Sequence, residues 1–326
     1  MPKAVCMFSG GLDSILACRL ILEQKVDVIA LHFLNPFHPF PKSSARYPVR
    51  KVAEQLGIPL KIIPLREEYI QMVKKPRYGY GAGMNPCVDC RIFTLKLAKR
   101  FMEQVDADFV FSGEVLGQRP LSQHLQAMKL IEKISGLEGR LLRPLSARLL
   151  EPTLPETEGV IDREKLLFLQ GRSRKPQIAL AEKYGIKDYP NPAGGCLLTD
   201  KTFSQRLKEA FGHNEETVRD IKILRIGRHF RLPSGKKAVV GRNERENRAL
   251  YNLATKKDAI LEPVDVAGPL VLVIKSDAID DIETAARLCA RYSDGKHLGQ
   301  VQIRCDDRTF NVAPLEEEKI RKIRID

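Results

Sequence analysis

Apolar residues recur along the first half of the chain in short continuous runs separated by amphipathic ones. Ala4 to Phe8 is apolar throughout, Ser9-Gly10-Gly11-Leu12-Asp13-Ser14 interrupts it, and Ile15 to Leu22 resumes the apolar pattern amphipathically. A strand, a tight turn and a helix are predicted in that order. Val26 to Phe33, broken only by Asp27 and His32, has the make-up of a buried parallel strand. A helix over 47–56, ended by Gly57, and a third strand over 60–65 complete a βαβαβ alternation. Such alternation predicts an α/β fold, a doubly wound and mostly parallel sheet with its ligand at the carboxyl ends of the strands.

Two irregular stretches follow strand ends. Residues 35–46 are rich in prolines and aromatics, and Lys74 to Pro86 mixes lysines, Arg77, Tyr78, Tyr80 and glycines, which reads as a mobile active-site loop carrying groups suited to RNA backbone. Asn85-Pro86-Cys87-Val88-Asp89-Cys90 then leads into a helix over 91–105, placing Cys87 and Cys90 one turn apart on one face. A strand over 108–112 delivers Ser112-Gly113-Glu114-Val115-Leu116-Gly117-Gln118-Arg119, and a helix is expected over 120–131. Residues 140–150 read as a fifth short strand and its loop. Residues 159–185 read as helical, interrupted by Gly171-Arg172-Ser173-Arg174-Lys175, and Tyr189-Pro190-Asn191-Pro192-Ala193-Gly194-Gly195 is a loop that presents Cys196.

Beyond it come helices over 202–211 and 215–224 and a hairpin of 227–232 with 236–240, turned by Pro233-Ser234-Gly235. Asn243 is placed to cap a helix with Glu246 as its capping-box partner. A strand over 270–274, a helix over 277–289 and paired runs at 301–305 and 309–312 finish a smaller α+β domain. The division expected is 1–200 and 201–326.

At 326 residues and 43% apolar content the chain can bury a core in each of two domains. No apolar run approaches the roughly 18 residues that span a bilayer, and no signal-peptide pattern precedes the first strand, so a soluble, cytoplasmic protein without membrane partners is expected. Lysine and arginine outnumber aspartate and glutamate 54 to 41, which points to a polyanionic partner, nucleic acid first. The excess is local: ten cations face three acids between Arg219 and Arg248. Seven cysteines without a secretory signal argue for reduced thiols or a cluster rather than disulfides.

In the Ser9–Ser14 turn, Gly10 and Gly11 let the backbone approach a ligand, Ser9 and Ser14 add donors, and the helix N-terminus favours an anion. Asp13 is itself anionic, so beside a phosphate it makes sense through a bridging Mg²⁺. An ordinary capped helix start would use the same residue types. The strand, turn and helix resemble the SGGxDS loop of the PP-loop ATP pyrophosphatases (adenine nucleotide α-hydrolase-like), which adenylate a carbonyl oxygen and release pyrophosphate. That resemblance implies ATP with Mg²⁺ on the turn and an adenine wall at the end of the second strand, His32, Phe33 and Leu34. Gly113-Glu114 with Leu116-Gly117-Gln118 is similar to the segment lining the nucleotide site of 4-thiouridine synthases, making Gly113 and Gln118 binding candidates. Arg174 and Lys175 can hold an α-phosphate or an RNA phosphate, or form a solvated charge run.

A lone C-x-x-C fits zinc, a redox pair or a cluster. Zinc wants a fourth ligand that the spacing does not offer, and Cys6, Cys18, Cys289 and Cys305 fall in apolar-periodic stretches. Cys87, Cys90 and Cys196 beside a PP-loop resemble the iron-sulfur-dependent tRNA thiolases, in which three thiolates hold a 4Fe-4S cluster with one iron open to sulfide. A cysteine persulfide resolved by a second cysteine uses the same three residues. Asp89, between the paired cysteines, is a candidate for proton transfer or sulfide positioning, or a helix cap. The hairpin, Gly241-Arg242-Asn243 and following helix resemble the RNA-binding module of NFACT-type proteins.

Taken together the resemblances imply an ATP-dependent tRNA sulfurtransferase with tRNA and a sulfur donor, sulfide or a persulfide carrier, as partners; homodimers occur among such thiolases. 4-Thiouridine synthases carry an RNA-binding region ahead of the PP-loop, whereas here that loop begins at residue 9, leaving 2-thiouridine open as the product. A PP-loop amide ligase, which would need no cysteines, and a non-catalytic RNA-binding factor are the rival readings.

Overall fold

Five short apolar runs lie side by side and parallel in the first half of the chain. The computed structural model describes residues 1–37, 48–187, 189 and 196–325, which divide into two compact units, Met1–Thr199 and Asp200–Asp326. The first unit contains β1 (Lys3–Met7), α1 (Leu12–Leu22), β2 (Asp27–Leu34), α2 (Pro48–Gln55), β3 (Leu60–Pro64), α3 (Glu67–Lys74), α4 (Cys87–Gln104), β4 (Phe109–Ser112), α5 (Leu125–Ser135), β5 (Leu141–Leu142), α6 (Leu154–Thr157) and α7 (Lys175–Lys183). The sheet order is β3-β2-β1-β4-β5, all pairs parallel.

The near-continuous hydrophobicity of β1 follows from burial on both faces. Ala4, Cys6 and Phe8 enter a core with Leu12, Ile15 and Leu16 of α1 and Val49 and Val52 of α2. Val5 and Met7 enter the opposite core, with Ile92, Leu95 and Ala98 of α4 and Ala127 and Ile131 of α5. Because the chain runs outward from β1 to β3 and then returns to place β4 on the other side of β1, the strand order reverses between β1 and β4. A crevice opens outside the carboxyl ends of strands at such a reversal, where Ser9–Ser14 and Gly113–Arg119 both emerge.

Several local expectations are corrected. The helix expected from Pro120 begins at Leu125, because Gly117 takes a left-handed φ of 76° and its N–H bonds back to Gln123 O at 2.6 Å, closing a loop before His124 Nδ1 caps the helix on Ala127 N. The helix expected over 159–170 is absent: Asp162 caps only a single 3-10 turn, and Leu167 and Leu169 donate instead to Pro144 O and Leu145 O, 2.9 and 2.8 Å away. Backbone pairing with a distant segment overrides the local apolar period. Helix α3, with Tyr69, Ile70 and Val73 buried, adds to the elements expected before the 74–86 loop. The proline- and glycine-rich loop that leads to Cys196 lies largely outside the described residues, as do most of 35–46.

The second unit contains α8 (Lys201–Gly212), α9 (Val218–Leu224), β6 (Arg228–Arg231), β7 (Lys237–Val240), α10 (Glu244–Leu253), β8 (Ala259–Pro263), β9 (Val271–Ile274), α11 (Ile279–Tyr292), β10 (Val301–Cys305), β11 (Arg308–Val312) and α12 (Glu317–Ile323). Its six strands pair antiparallel in the order β11-β10-β8-β9-β7-β6, and Ile282, Ala285, Ala286 and Cys289 of α11 share a core with that sheet. Strand β8 and helix α12 add to the elements expected. Asn243 caps α10 through Glu246 N at 3.0 Å, but Glu246 returns its carboxylate to Arg242 N and the Arg242 guanidinium, one residue earlier than a capping box requires.

The basic run between Arg219 and Arg248 is not an open cationic face throughout. Arg219 pairs with Asp258, Arg231 with Glu209 and Glu215, Arg242 with Glu246, and Arg248 with Glu244. Lys237 is 2% exposed and bridges Glu209 and Glu215. Lys222, Lys236 and Arg245 remain exposed.

Candidate active site

The turn after β1 is braced from within. Ser14 Oγ donates to Gly11 O at 2.8 Å, Ser9 Oγ lies 3.2 Å from Ser14 Oγ, and Gly11 N donates to Ser9 Oγ at 3.2 Å. Gly10 holds φ at 76°, a conformation open to glycine, with Val49 of α2 directly behind it. Gly113, at the end of β4, is required by proximity instead: a Cβ there would stand 2.5 Å from Asp13 C and O and 2.6 Å from Ser14 N. The carboxyl end of β4 therefore lies directly against the backbone that opens α1.

Asp13 is reached from two other segments. Gln118 Nε2 donates to its Oδ2 at 3.1 Å, and Arg174 Nη2 stands 4.0 Å from its Oδ1. Oδ1 is buried without a hydrogen-bond partner, as is Arg174 Nε. A carboxylate oxygen left in this way beside a phosphate-shaped turn fits a cation such as Mg²⁺, and the guanidinium fits a phosphate. The structure thus gathers Ser9, Gly10, Gly11, Asp13, Ser14, Gly113, Gln118 and Arg174. Lys175 is exposed at the first position of α7. His32 Nδ1 donates to Phe8 O at 2.8 Å, fixing its tautomer at the end of β1, while Phe33 packs against the core under α4 and α5.

Cys87 and Cys90 occupy the first turn of α4, behind Pro86 as N-cap, and with Cys196 they are partly buried. Each raises the thiol of Cys196, so the three share one electrostatic neighbourhood. Burial pushes Cys196 up to about 11, with Cys90 and Cys87 adding to it and Arg119 opposing. Burial also raises Cys87, against an Asn85 hydrogen bond and the charges of Arg119 and Arg91. In Cys90 the upward push of burial is opposed by Tyr69 and then Arg91. Tyr69 Oη lies 3.0 Å from Cys90 Sγ and accepts from Asn35 Nδ2 at 3.0 Å; with Cys90 as thiolate, the phenol is the donor to the sulfur.

Tyr69, Arg91, Arg119 and Glu114 complete a site that motif reading did not assemble. Glu114 is 4% exposed; Arg91 Nη2 approaches it at 2.8 Å and Arg143 Nε at 3.3 Å, and Arg143 Nη1 also holds Glu132 at 2.8 Å. Burial alone would raise the Glu114 carboxyl, but Arg91 and Arg143 together hold it below its ordinary value. Arg91 is thereby tethered between a buried carboxylate and the thiols. Asp89, 7% exposed, accepts from Arg77 N at 2.9 Å and Tyr78 N at 3.0 Å, so both oxygens fasten the preceding loop to α4.

A cluster requires three thiolates aimed at one centre. Among the described residues no group of three or more histidine, cysteine or acidic side chains stands so as to hold a metal ion. Cys87, Cys90 and Cys196 are neighbours in this placement without forming a ligand set. Among the described residues no helix is long and apolar enough to cross a membrane.

Residues 1–148 match the family model described as thiamine biosynthesis protein (ThiI), and residues 227–324 match the NFACT protein RNA binding domain. The chain is 37% identical over 114 residues to the tRNA-specific 2-thiouridylase MnmA of Syntrophotalea carbinolica, covering 32% of each. It is 34% identical over 148 residues to a probable tRNA sulfurtransferase of Macrococcus caseolyticus, covering 44% of this chain and 34% of that one. It therefore spans about a third of the length of the curated relatives it matches. A solved 4-thiouridine synthetase–RNA complex with bound ATP aligns at 21% identity over 69% of this chain and 52% of the other, with a TM-score of 0.41. Two separate stretches of the chain thus resemble known families, residues 1–148 the ThiI family and residues 227–324 the RNA-binding domain of NFACT proteins.

Proposed function

We propose that this protein is an ATP-dependent tRNA sulfurtransferase that converts a uridine to 4-thiouridine. The observation that carries the reading is the dipeptide Gln118-Arg119: Gln118 holds Asp13 of the nucleotide turn, while Arg119 acts on Cys87, Cys90 and Cys196. Activation and sulfur chemistry are then neighbours. The names of the relatives, a 2-thiouridylase and probable tRNA sulfurtransferases, support the reaction class. The Gly113–Gln118 segment favours the 4-position.

ATP lies with its phosphates on the Ser9–Ser14 turn, where Asp13 would hold the accompanying Mg²⁺ and Arg174 would face phosphate oxygens. The uridine carbonyl oxygen attacks the α-phosphorus, the bond to pyrophosphate breaks, and the base is left adenylated. Sulfur arrives as a persulfide on Cys196. Its terminal sulfur attacks the activated carbon and AMP departs. Cys90, whose thiolate the Tyr69 hydroxyl and Arg91 support against burial, attacks Cys196 Sγ itself. The S–S bond breaks, thiouridine leaves, and a Cys90–Cys196 disulfide remains for an external thiol to reduce. The resemblance to iron-sulfur thiolases implies a 4Fe-4S form of the same three cysteines; since they form no ligand set as placed, no step is routed through it.

Incubation of the full chain with unmodified tRNA, ATP, Mg²⁺ and a persulfide donor, followed by nucleoside mass spectrometry, tests the reading. 4-Thiouridine is expected and is lost in Cys90→Ala and Cys196→Ala. Thiolation that survives Cys196→Ala overturns the sulfur role, and 2-thiouridine as product overturns the position. Four irons and four sulfides per chain after anaerobic purification, lost when all three cysteines are alanine, would replace the persulfide route by the cluster route.

A further inference from the structure

Residues 74–86 carry Lys74, Lys75 and Arg77 and no acid, and present two tyrosines to solvent. Tyr78 is 37% exposed and Tyr80 42%. Exposed tyrosines on a floppy loop would mean little, but this loop is fixed at three places. Asp89 takes the N–H groups of Arg77 and Tyr78. Tyr80 Oη donates to Val73 O at 2.7 Å, at the end of α3, so its hydroxyl is spent while its ring stays in view. Gly81 lies so close to Leu121 that a Cβ would fall 2.0 Å from Leu121 Cδ1, which docks the loop on the segment bearing Gln118 and Arg119. These contacts give a set conformation to a loop whose composition predicts mobility.

Arg77 stands over the Tyr78 ring at 5.7 Å, a cation–π pair that holds the ring and places a guanidinium beside it. The loop runs straight into Cys87, and Met84 N donates to Leu198 O at 2.8 Å, two residues after Cys196. Two ring faces, cations without acids and a rigid mount next to the thiols match what unpaired nucleotides require, since bases stack on aromatic side chains while phosphates meet cations.

We infer that Tyr78 and Tyr80 form a stacking platform for unpaired RNA bases flanking the target uridine, with Arg77 contacting the adjacent phosphate. The inference rests on the sulfurtransferase reading for what the bound RNA is, but its test does not require sulfur. A tRNA transcript with 5-bromouridine in place of uridine is irradiated in complex with the full chain, and the adducts are mapped by mass spectrometry. Adducts on Tyr78 or Tyr80 are expected; adducts confined to residues 227–324 overturn the platform. With the same transcript, the double variant Tyr78→Ala and Tyr80→Ala weakens binding about tenfold and leaves the slope of log affinity against log salt unchanged, whereas Arg77→Ala lowers that slope by about one. Affinity within twofold of the parent in the double variant also overturns it. Should the adducts form where no thiouridine is made, the activity reading fails and the platform stands.

Discussion

Gln118 Nε2 reaches Asp13 Oδ2 at 3.1 Å, tying the segment after β4 to the turn after β1 across 105 residues of sequence. The contact uses one carboxylate oxygen and leaves the other, Oδ1, buried without a hydrogen bond. Asp13→Ala removes the group proposed to hold the cation and is expected to lower tRNA-dependent release of pyrophosphate from ATP by about a hundredfold or more, an effect of the size seen when a charge-stabilising group is lost from a reaction centre. Gln118→Ala removes one hydrogen bond to that carboxylate, and about a tenfold loss is expected. Equal losses in the two variants would show that Asp13 does no more than its contact with Gln118.

Gly113 gives a sharper structural test. The atoms a Cβ would meet are backbone atoms of Asp13 and Ser14, which cannot rotate away. Gly113→Ala must push β4 from the N-terminus of α1, at a cost of about 1–3 kcal/mol in stability, and the displaced turn should bind ATP more weakly. Denaturant melts and nucleotide titration read the two effects. Unchanged stability would mean that β4 and the turn do not meet this closely.

Glu114 is a buried carboxylate shared by Arg91 and Arg143. Glu114→Gln leaves the Arg91 guanidinium without its counter-charge and Arg143 with Glu132 alone, and is expected to cost about 3 kcal/mol by denaturant unfolding near neutral pH. The pH dependence has a definite sign. The folded carboxyl is held below its ordinary value because Arg91 and Arg143 outweigh burial. Its contribution is present above the unfolded value of about 4.3 and is lost as pH falls through the lowered folded value. The gap between parent and variant should therefore shrink in acid.

What the sequence makes legible is whatever is local. The apolar run, Gly10-Gly11 and Asp13 place the turn, because strand, turn and helix follow one another, and the Cys87–Cys90 spacing puts two thiols on one helical turn. Tyr69 and Arg91 give no such signal, and the motif that contains Glu114 does not show what it pairs with: Tyr69 meets Cys90 from a separate helix, and Arg91 meets Glu114 from a separate strand end. Helix α3 holds only eight residues, too few for a firm period. Gly113 belonged to a motif, yet its physical role, room for the Asp13 backbone, exists only after β1 and β4 pair. The charge count between Arg219 and Arg248 likewise overstates the open charge, since Glu209, Glu215 and Asp258, which pair with cations of that run, lie outside it.

Cys196 offers a test of the sulfur site that is independent of turnover. Its thiol is pushed up to about 11, first by burial and then by Cys90 and Cys87, while Arg119 pulls the other way. Relative to an ordinary thiol near 9, the thiolate population at pH 8 falls about a hundredfold, and alkylation rates follow the thiolate. Iodoacetamide labelling of the full chain without ATP or RNA, resolved by peptide mass spectrometry, should show Cys196 reacting slowly and gaining about tenfold per pH unit from 8 to 10. Arg119→Ala should slow it further and Cys90→Ala should quicken it, because the first removes a stabilising cation and the second a neighbouring thiol. The folded state keeps this proton longer than the unfolded chain does, so its contribution is intact below the unfolded value near 9 and declines as pH rises towards about 11. Cys196→Ser, which does not titrate there, should escape that alkaline loss. Cys196 labelling at the rate of an exposed thiol, indifferent to Arg119 and Cys90, would break the link between the Gln118-Arg119 dipeptide and the sulfur chemistry assigned to it.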